Sequence, residues 1–282
     1  MAENILIIGK NSYAGAKFTK YAQEHFDGQV IAASSAECDL LDAEASQVFF
    51  QRLPQAPFSV VNFAVINKSV ENTYQSFLDN MTLVRNLASG LSFLSLTSLV
   101  HLSSVDVYGA SPQLPVSETS SIAPDTWYGL AKYNSEWVLE HSPNVSCPRV
   151  MLRIPGIYGK GANDRSVIGR LAASAKNGRI VLSGGGEALR DYLWVEDLNR
   201  IIAQMIRARA VGTFNVATGA SVPLKQVAEL LCSCLRLSPE ISETAKSERD
   251  FDLRFDISKL HAALPEFQFT SLRQALADYS EP

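Results

Sequence analysis

The chain has 282 residues, 46% of them apolar and 19% charged, with a formal net charge of −4. That length allows one large core with an attached lobe, and the acidic balance excludes the basic stripe of a nucleic-acid binder. The four cysteines, Cys38, Cys147, Cys232 and Cys234, and the four histidines lack metal-ligand spacing, so neither a metal site nor a disulfide framework is expected, and no apolar run is long enough to span a bilayer. A cytoplasmic protein is expected.

Residues 4–9, NILIIG, form an apolar run closed by glycine. They read as a buried parallel strand that runs into a tight turn. Residues 13–26 read as a helix and Val30 to Ala33 as a second strand. Ser46 to Leu53 reads as a helix, Ser59 to Val65 as a buried strand, and 73–90 as a helix. Leu99 to Ser103 is again a strand. Tyr128 to Glu140 is a helix stopped by Ser142-Pro143, and Val150 to Ile154 is a strand. Strands alternating with helices predict an α/β fold with a Rossmann-type, doubly wound parallel sheet. After residue 160 the segments shorten, with glycine loops at Gly178 and Gly184–Gly186. A dinucleotide-binding domain over 1–160 and a smaller C-terminal lobe over 161–282 are expected. Within 191–217, a helix at 196–209 and a strand at Gly212 to Ala217 return to the sheet. Residues 220–282 hold helices and a charged loop around Ser247–Arg254.

The segment Gly9-Lys10-Asn11-Ser12-Tyr13-Ala14-Gly15 lies between the first strand and the first helix. This is the context of a dinucleotide loop. Gly9 permits the sharp turn, Gly15 lets the helix pack close, and the helix N-terminus offers N–H groups to a pyrophosphate. In NAD enzymes the second strand ends in an acid that binds the adenosine ribose. Here that end reads Ala32-Ala33-Ser34-Ser35, without one, and Lys10 is placed to meet a 2′-phosphate. NADP is therefore favoured, with NAD as the alternative.

Tyr128-Gly129-Leu130-Ala131-Lys132 is a Y-x-x-x-K segment. Residues four apart share a helix face, so the lysine ammonium is expected near the phenol, lowering its pKa. Such a tyrosine can pass a proton to or from a substrate oxygen. Upstream, at the end of a predicted strand, stands Ser103-Ser104-Val105-Asp106-Val107-Tyr108-Gly109. The Ser104 hydroxyl is suited to hold the same oxygen.

The glycine loop, SSVDVYG, YGLAK, RIPGIYG and RDYLWVEDL follow one another in the order and spacing of the extended short-chain dehydrogenases/reductases, the NAD-dependent epimerase/dehydratase group, which the chain resembles over nearly its whole length. The resemblance implies a bound nicotinamide cofactor, a C-terminal lobe holding a nucleotide-sugar, and a homodimer paired through the helices at 73–90 and 128–140. It assigns Ser104, Tyr128 and Lys132 as the catalytic triad. It also implies that Asp39 and Leu40 meet the adenine ring. Asn62-Phe63-Ala64 stands for the family's N-A-A segment beside the cofactor ribose, and Asn80, Tyr128, Lys132 and Pro155 complete the cofactor contacts. Ser12 replaces the middle glycine of the family loop.

Residues 35–50 are similar to the matching stretch of the GDP-L-fucose synthases, which are NADP-dependent 4-keto sugar epimerase-reductases. The acid/base cysteine and histidine of that group fall at Asp106 and Ser166 here, which argues against epimerisation at C3 and C5. Sugar 4,6-dehydratases carry acids before their V-Y-G, and Asp106 keeps one, so it is a candidate catalytic residue. Arg190, in the family's R-D-Y segment, is implied to contact a ligand phosphate, with Arg249 or Arg254 as a second clamp. The expected reaction is reduction or epimerisation at C4 of a nucleotide-activated sugar. The alternatives are 4,6-dehydration, reduction of a non-sugar carbonyl, and a non-catalytic NADP sensor.

Overall fold

The computed structural model of the protein describes residues 3–110, 112–162, 166–247 and 250–280. They divide into two compact units, one of residues 1–109, 122–153 and 199–214, the other of 110–121, 154–198 and 215–282.

The first unit opens with strand β1 (Asn4–Ile8), helix α1 (Tyr13–His25), β2 (Val30–Ala33), α2 (Ala43–Gln51) and β3 (Pro57–Asn62). It continues through α3 (Tyr74–Leu91), β4 (Ser95–Ser104), α4 (Trp127–His141) and β5 (Arg149–Ile154). The second unit supplies β6 (Gly156–Tyr158), α5 (Val167–Lys176), β7 (Arg179–Ser183), β8 (Leu189–Arg190) and β9 (Tyr192–Trp194). Helix α6 (Val195–Ala208) and strand β10 (Gly212–Asn215) bring the chain back to the first unit. The remainder holds β11 (Val222–Pro223), α7 (Leu224–Leu235), β12 (Glu240–Thr244), α8 (Ser258–Ala263) and α9 (Leu272–Ser280).

The six-stranded sheet runs in the order β10-β5-β4-β3-β1-β2. Ile5, Leu6, Ile7, Val60 and Val61 are fully buried, as a sheet covered on both faces requires. On one face α2, α3 and α4 close a core of Leu6, Phe50, Phe58, Leu87, Leu99 and Leu139. On the other face Arg207 of α6 donates to the His25 carbonyl at the end of α1 and lies over the Phe26 ring. The chain winds from β1 out to β2 and then crosses back to β3, so the direction of winding switches between β1 and β3. In such sheets ligands sit outside the carboxyl ends of the strands at that switch.

The second unit has its own core, with Tyr158, Ile168, Leu171, Trp194, Val227, Leu231 and Leu276. Its strands form two-stranded pieces, β6 parallel to β9, β7 parallel to β12, and β8 antiparallel to β11. Among the described residues no group of histidine, cysteine and acid side chains has the geometry of a metal site, and no helix is long and apolar enough to cross a membrane.

Candidate active site

The carboxyl ends of β1, β2, β3 and β4 carry the polar residues of the first unit. Gly9, with φ near +90°, turns the chain at the end of β1, and a Cβ there would lie 2.7 Å from the Ala64 backbone nitrogen. A Cβ on Gly15 would run into the Gly9 carbonyl oxygen. Loop and helix are thus as close as the dinucleotide fingerprint demands. Ser12 does not obstruct them. Its hydroxyl caps α1 by accepting from Gly15 N at 3.1 Å and donates to the Gly9 carbonyl at 2.8 Å. The loop is fastened to β2 by the amides of Gly9 and Lys10, which donate to the Ala33 carbonyl at 2.8 and 3.0 Å. Asn11 is exposed and Tyr13 opens α1. A helix terminus reached through a turn that opens on a glycine fits a pyrophosphate.

The turn after β2 holds an acid that the sequence reading misses. The Glu37 carboxylate folds back onto the strand end, accepting from Ser34 N at 2.8 Å and Ser34 Oγ at 2.5 Å, and pairs with Lys10 Nζ at 2.6 Å. The expectation of a strand end without an acid is therefore corrected: the carboxylate arrives from three residues beyond Ser34. The Lys10 and Ser34 bonds hold its carboxyl down at about 2. Asp39 spends one oxygen on its own turn, accepting from Leu41 N at 2.9 Å. The buried Leu40 gives its carbonyl to Asn86 Nδ2 at 2.9 Å.

At the end of β3, Asn62 Oδ1 accepts from Ala64 N at 3.0 Å, and Phe63 is buried. Asn80 clamps the following loop, accepting from Ile66 N at 2.8 Å and donating to the Ile66 carbonyl at 3.1 Å. Asn62 Nδ2 lies 3.0 Å from Nδ1 of His101, a fully buried imidazole. Burial first, and the Lys132 charge second, hold His101 well below its usual pKa.

Ser104 ends β4 and caps a short 3-10 turn over Val105–Tyr108. Its Oγ accepts from Asp106 N and donates to Asp106 Oδ2, both at 3.1 Å. Tyr128 enters through the first turn of α4. That turn is capped by Thr126, and Asn72 Oδ1 accepts from Tyr128 N at 3.0 Å. A Cβ on Gly129 would lie 2.6 Å from the Asp106 carbonyl oxygen. Glycine at this position therefore lets the helix lie close against the Ser104 turn. Lys132 is buried one helical turn on, and its Nζ donates to the Leu102 carbonyl. The structure therefore brings Ser104, Asp106, Tyr128 and Lys132 together.

Lys68, on the loop after β3, was not legible as a site residue. Its ammonium contacts Asp106 Oδ1 and Oδ2 at 2.8 and 2.7 Å and lies 5.8 Å from the Tyr128 ring centroid, while Lys132 Nζ lies 5.9 Å from it. The phenol is nonetheless pushed up from its usual value. Burial is the main cause and Asp106 adds to it, while the hydrogen bond with Ser104 works the other way. This is the opposite sense to the depressed phenol expected from the Y-x-x-x-K spacing, because desolvation outweighs the neighbouring charge. Burial pushes Lys132 down to about 8, against the pull of Glu136 and Asp106.

Behind the site lies a buried ionic network. Arg153 pairs with Glu136 through Nη2 at 2.7 Å and Nε at 3.0 Å and donates to the Tyr108 hydroxyl at 2.8 Å. Ser103 Oγ donates to the same Glu136 carboxylate.

Pro155, Arg190 and Arg254 belong to the second unit. Pro155 is buried between β5 and β6. Arg190 Nη1 donates to the carbonyls of Leu189 and Phe251, and its guanidinium stacks 4.7 Å from the Phe251 ring centroid. Next to it Asp191 is buried and ties down the Thr218–Gly219 turn, accepting from Thr218 N, Thr218 Oγ1 and Gly219 N. Arg254 is exposed, and its carbonyl accepts from Val116 N at 2.7 Å. Ser166 caps α5 by accepting from Gly169 N at 2.9 Å. Arg249 lies outside the described residues.

A family model described as "NAD dependent epimerase/dehydratase family" matches residues 5–217. The chain is 25% identical to GDP-6-deoxy-D-talose 4-dehydrogenase of Aggregatibacter actinomycetemcomitans, over 97% of this chain and 96% of that one. Among solved structures it matches UDP-glucose 4-epimerase of Thermotoga maritima, solved with UDP-glucose, at TM-score 0.86 and 20% identity, covering 98% and 97% of the two chains. It also matches RMD of Pseudomonas aeruginosa, solved with NADPH, at TM-score 0.82 and 19% identity, covering 99% and 98%. These structural likenesses establish the fold.

Proposed function

Because the chain belongs to the NAD-dependent epimerase/dehydratase family and is an enzyme of the extended short-chain dehydrogenase/reductase type, we propose that it reduces, or epimerises, C4 of a nucleotide-activated sugar in the cytoplasm. The observation that carries the reading is the Tyr128 phenol, buried, bonded to Ser104 and overlooked by two ammonium groups. A protonated phenol so placed can give a proton to a substrate carbonyl oxygen as it is reduced, and its phenolate can take one back in the reverse direction.

A nicotinamide dinucleotide held by the Gly9–Gly15 loop would supply or take the hydride. The chain's own groups handle the oxygen and its proton. Ser104 holds the carbonyl oxygen by hydrogen bond. Tyr128 gives that oxygen a proton as it becomes a hydroxyl, and the ammonium of Lys132 stabilises the phenolate left behind. In the oxidising direction the same groups work in reverse. Lys68 neutralises Asp106, so that the carboxylate competes less for the Ser104 hydroxyl proton, which turns to the substrate oxygen. The loop Gly9–Gly15, Asp39, Leu40, the Asn62–Ala64 segment, Asn80 and Pro155 are assigned to the cofactor, and Arg190, Arg249 and Arg254 to the nucleotide diphosphate. NADPH is the proposed preferred cofactor, through Lys10.

Dehydration is the second reading, on one observation. Asp106 stands 3.1 Å from the Ser104 hydroxyl and provides another acid/base beside the phenol. The protein is further proposed to pair with a second copy through α3 and α4, where Leu78 and Trp137 are 38% and 55% exposed.

The test is turnover of GDP-, UDP- and dTDP-linked 4-keto-6-deoxy sugars with NADPH and NADH, followed at the nicotinamide absorbance with products read by mass spectrometry. Oxidation of the reduced cofactor with a new C4 hydroxyl is expected. In a parallel assay of the parent nucleotide-sugars that still carry the 4- and 6-hydroxyls, loss of water to a 4-keto-6-deoxy product without net cofactor use would select dehydration.

A further inference from the structure

At the end of β2 the Glu37 carboxylate, which the linear sequence does not place there, is in contact with the Lys10 ammonium. One Glu37 oxygen is bound by the strand end, through Ser34 N and Oγ. The other is bound by Lys10 Nζ at 2.6 Å. The loop that carries Lys10 is itself tied to the same strand end, because Gly9 N and Lys10 N both donate to the Ala33 carbonyl. Side-chain exposure of 31% for Lys10 and 46% for Glu37 leaves both groups open to an incoming ligand.

In a sheet of this winding the second strand end faces the adenosine ribose. A carboxylate there accepts from the ribose hydroxyls, whereas a cation there meets a 2′-phosphate. Nucleotide binders discriminate by having one or the other. This chain has both.

We propose that the Lys10–Glu37 pair is a two-way reader of the cofactor's 2′ position. A free ribose diol donates to Glu37 while Lys10 stays in place. A 2′-phosphate draws Lys10 away from Glu37 and binds against the repulsion of the carboxylate left behind. Both NAD(H) and NADP(H) are then accepted, and the balance between them is set by these two side chains rather than by Ala33–Ser35. The inference rests on the reading that the ligand of this loop is a nicotinamide dinucleotide, and it deepens that reading. Glu37 is a carboxylate at every pH at which the protein would be assayed, since its carboxyl is held at about 2. The opposition to a 2′-phosphate is therefore permanent rather than pH-switched. An exposed ion pair contributes little stability by itself, so either partner can be replaced without threatening the fold.

The experiment is fluorescence titration of the full-length protein with NADH and with NADPH at low ionic strength, for wild type, Glu37→Gln and Lys10→Met. Wild type is expected to bind both, with NADPH tighter by no more than about ten-fold, the factor that ~1.4 kcal/mol represents. Glu37→Gln should raise the NADPH-to-NADH affinity ratio by about ten-fold, and Lys10→Met should lower it by a similar factor while changing NADH affinity little. Ser34→Ala, which keeps both charges but frees the carboxylate, should move the ratio less than Glu37→Gln. An unchanged ratio in both Glu37→Gln and Lys10→Met overturns the inference and leaves the dinucleotide reading intact. Failure of wild type to bind either cofactor overturns both.

Discussion

The Lys68 ammonium grips both oxygens of the Asp106 carboxylate, at 2.8 and 2.7 Å, from a loop 38 residues away in the chain. The pair is partly exposed, with side-chain accessibilities of 47% and 25%. Its contribution to stability is therefore small, below about 1 kcal/mol, and its weight falls on the site. Lys68→Met should lower kcat/KM by roughly ten-fold, equivalent to ~1.4 kcal/mol of barrier, with an unchanged urea midpoint. Lys68→Arg should recover most of the loss. A fall in stability that matches the fall in rate would make Lys68 merely structural.

Tyr128→Phe should abolish turnover while leaving NADPH affinity within a few-fold, because the ring still packs and only the proton donor is gone. Fluorescence titration and the turnover assay on the same preparation check this. Near-wild-type turnover would remove Tyr128 from the mechanism.

Lys132 makes cofactor binding sensitive to pH. With its folded-state pKa pushed down to about 8 by burial, the side chain is a cation below that value and neutral above it. NADPH affinity should weaken as pH rises through about 8, where the cation is lost, and the slope should vanish in Lys132→Met. Stability should change in the opposite sense. Between about 8 and the ordinary lysine value of 10.5 the unfolded chain binds more protons than the folded one, so this group's contribution to stability rises with pH over that window. Urea melts of wild type against Lys132→Met, at pH 7.5 and 9.5 as illustrative points on the way, would read the difference.

Arg190 is already held by the Leu189 and Phe251 carbonyls and by the Phe251 ring. Arg190→Ala should weaken GDP or UDP, titrated calorimetrically, by about ten-fold or more, since a charge-assisted contact contributes roughly 1.5–3 kcal/mol. Binding of NADPH should be unaffected. Arg190→Lys keeps the charge but loses the planar fork and should restore only part of the affinity. Unchanged nucleotide affinity in Arg190→Ala would take the diphosphate away from this residue.

The exposed apolar residues of α3 and α4 predict a concentration-dependent dimer. Light scattering at micromolar concentration should give twice the chain mass, and Trp137→Glu, at a position 55% exposed, should return the monomer without unfolding it. A monomer for wild type would show that these helices are simply solvated.

Much of the fold was legible because its parallel strands are apolar on both faces. β1, β2 and β5 fall where the apolar runs place them. The polar exceptions were not legible. β4 begins at Ser95 rather than Leu99, since its buried Ser98 is satisfied by Ser59 at 2.8 Å across the sheet, a partner no local pattern reveals. α2 begins at Ala43 rather than Ser46 because Asp42 caps it through Glu44 N and Ala45 N. β12 is a largely exposed, polar stretch that becomes a strand only by pairing with β7. At the candidate site, Ser104, Tyr128 and Lys132 could be read because a strand end and a helical spacing bring them into proximity. Glu37 and Lys68 could not, because each reaches its place by a turn that folds back, and the sequence records only that they are charged.

The Glu136–Arg153 pair bears on how the chain assembles. Glu136 comes from α4, Arg153 from β5 and Ser103 from β4. An intermediate with α4 docked before β5 is added would bury a carboxylate with no counter-charge. Breaking such a pair costs on the order of 3–5 kcal/mol. The α4 helix, which carries Tyr128 and Lys132, thus has the counter-charge for its buried acid only when β5 lies behind it, so Arg153→Met should disturb the seating of that helix and lower stability and turnover together.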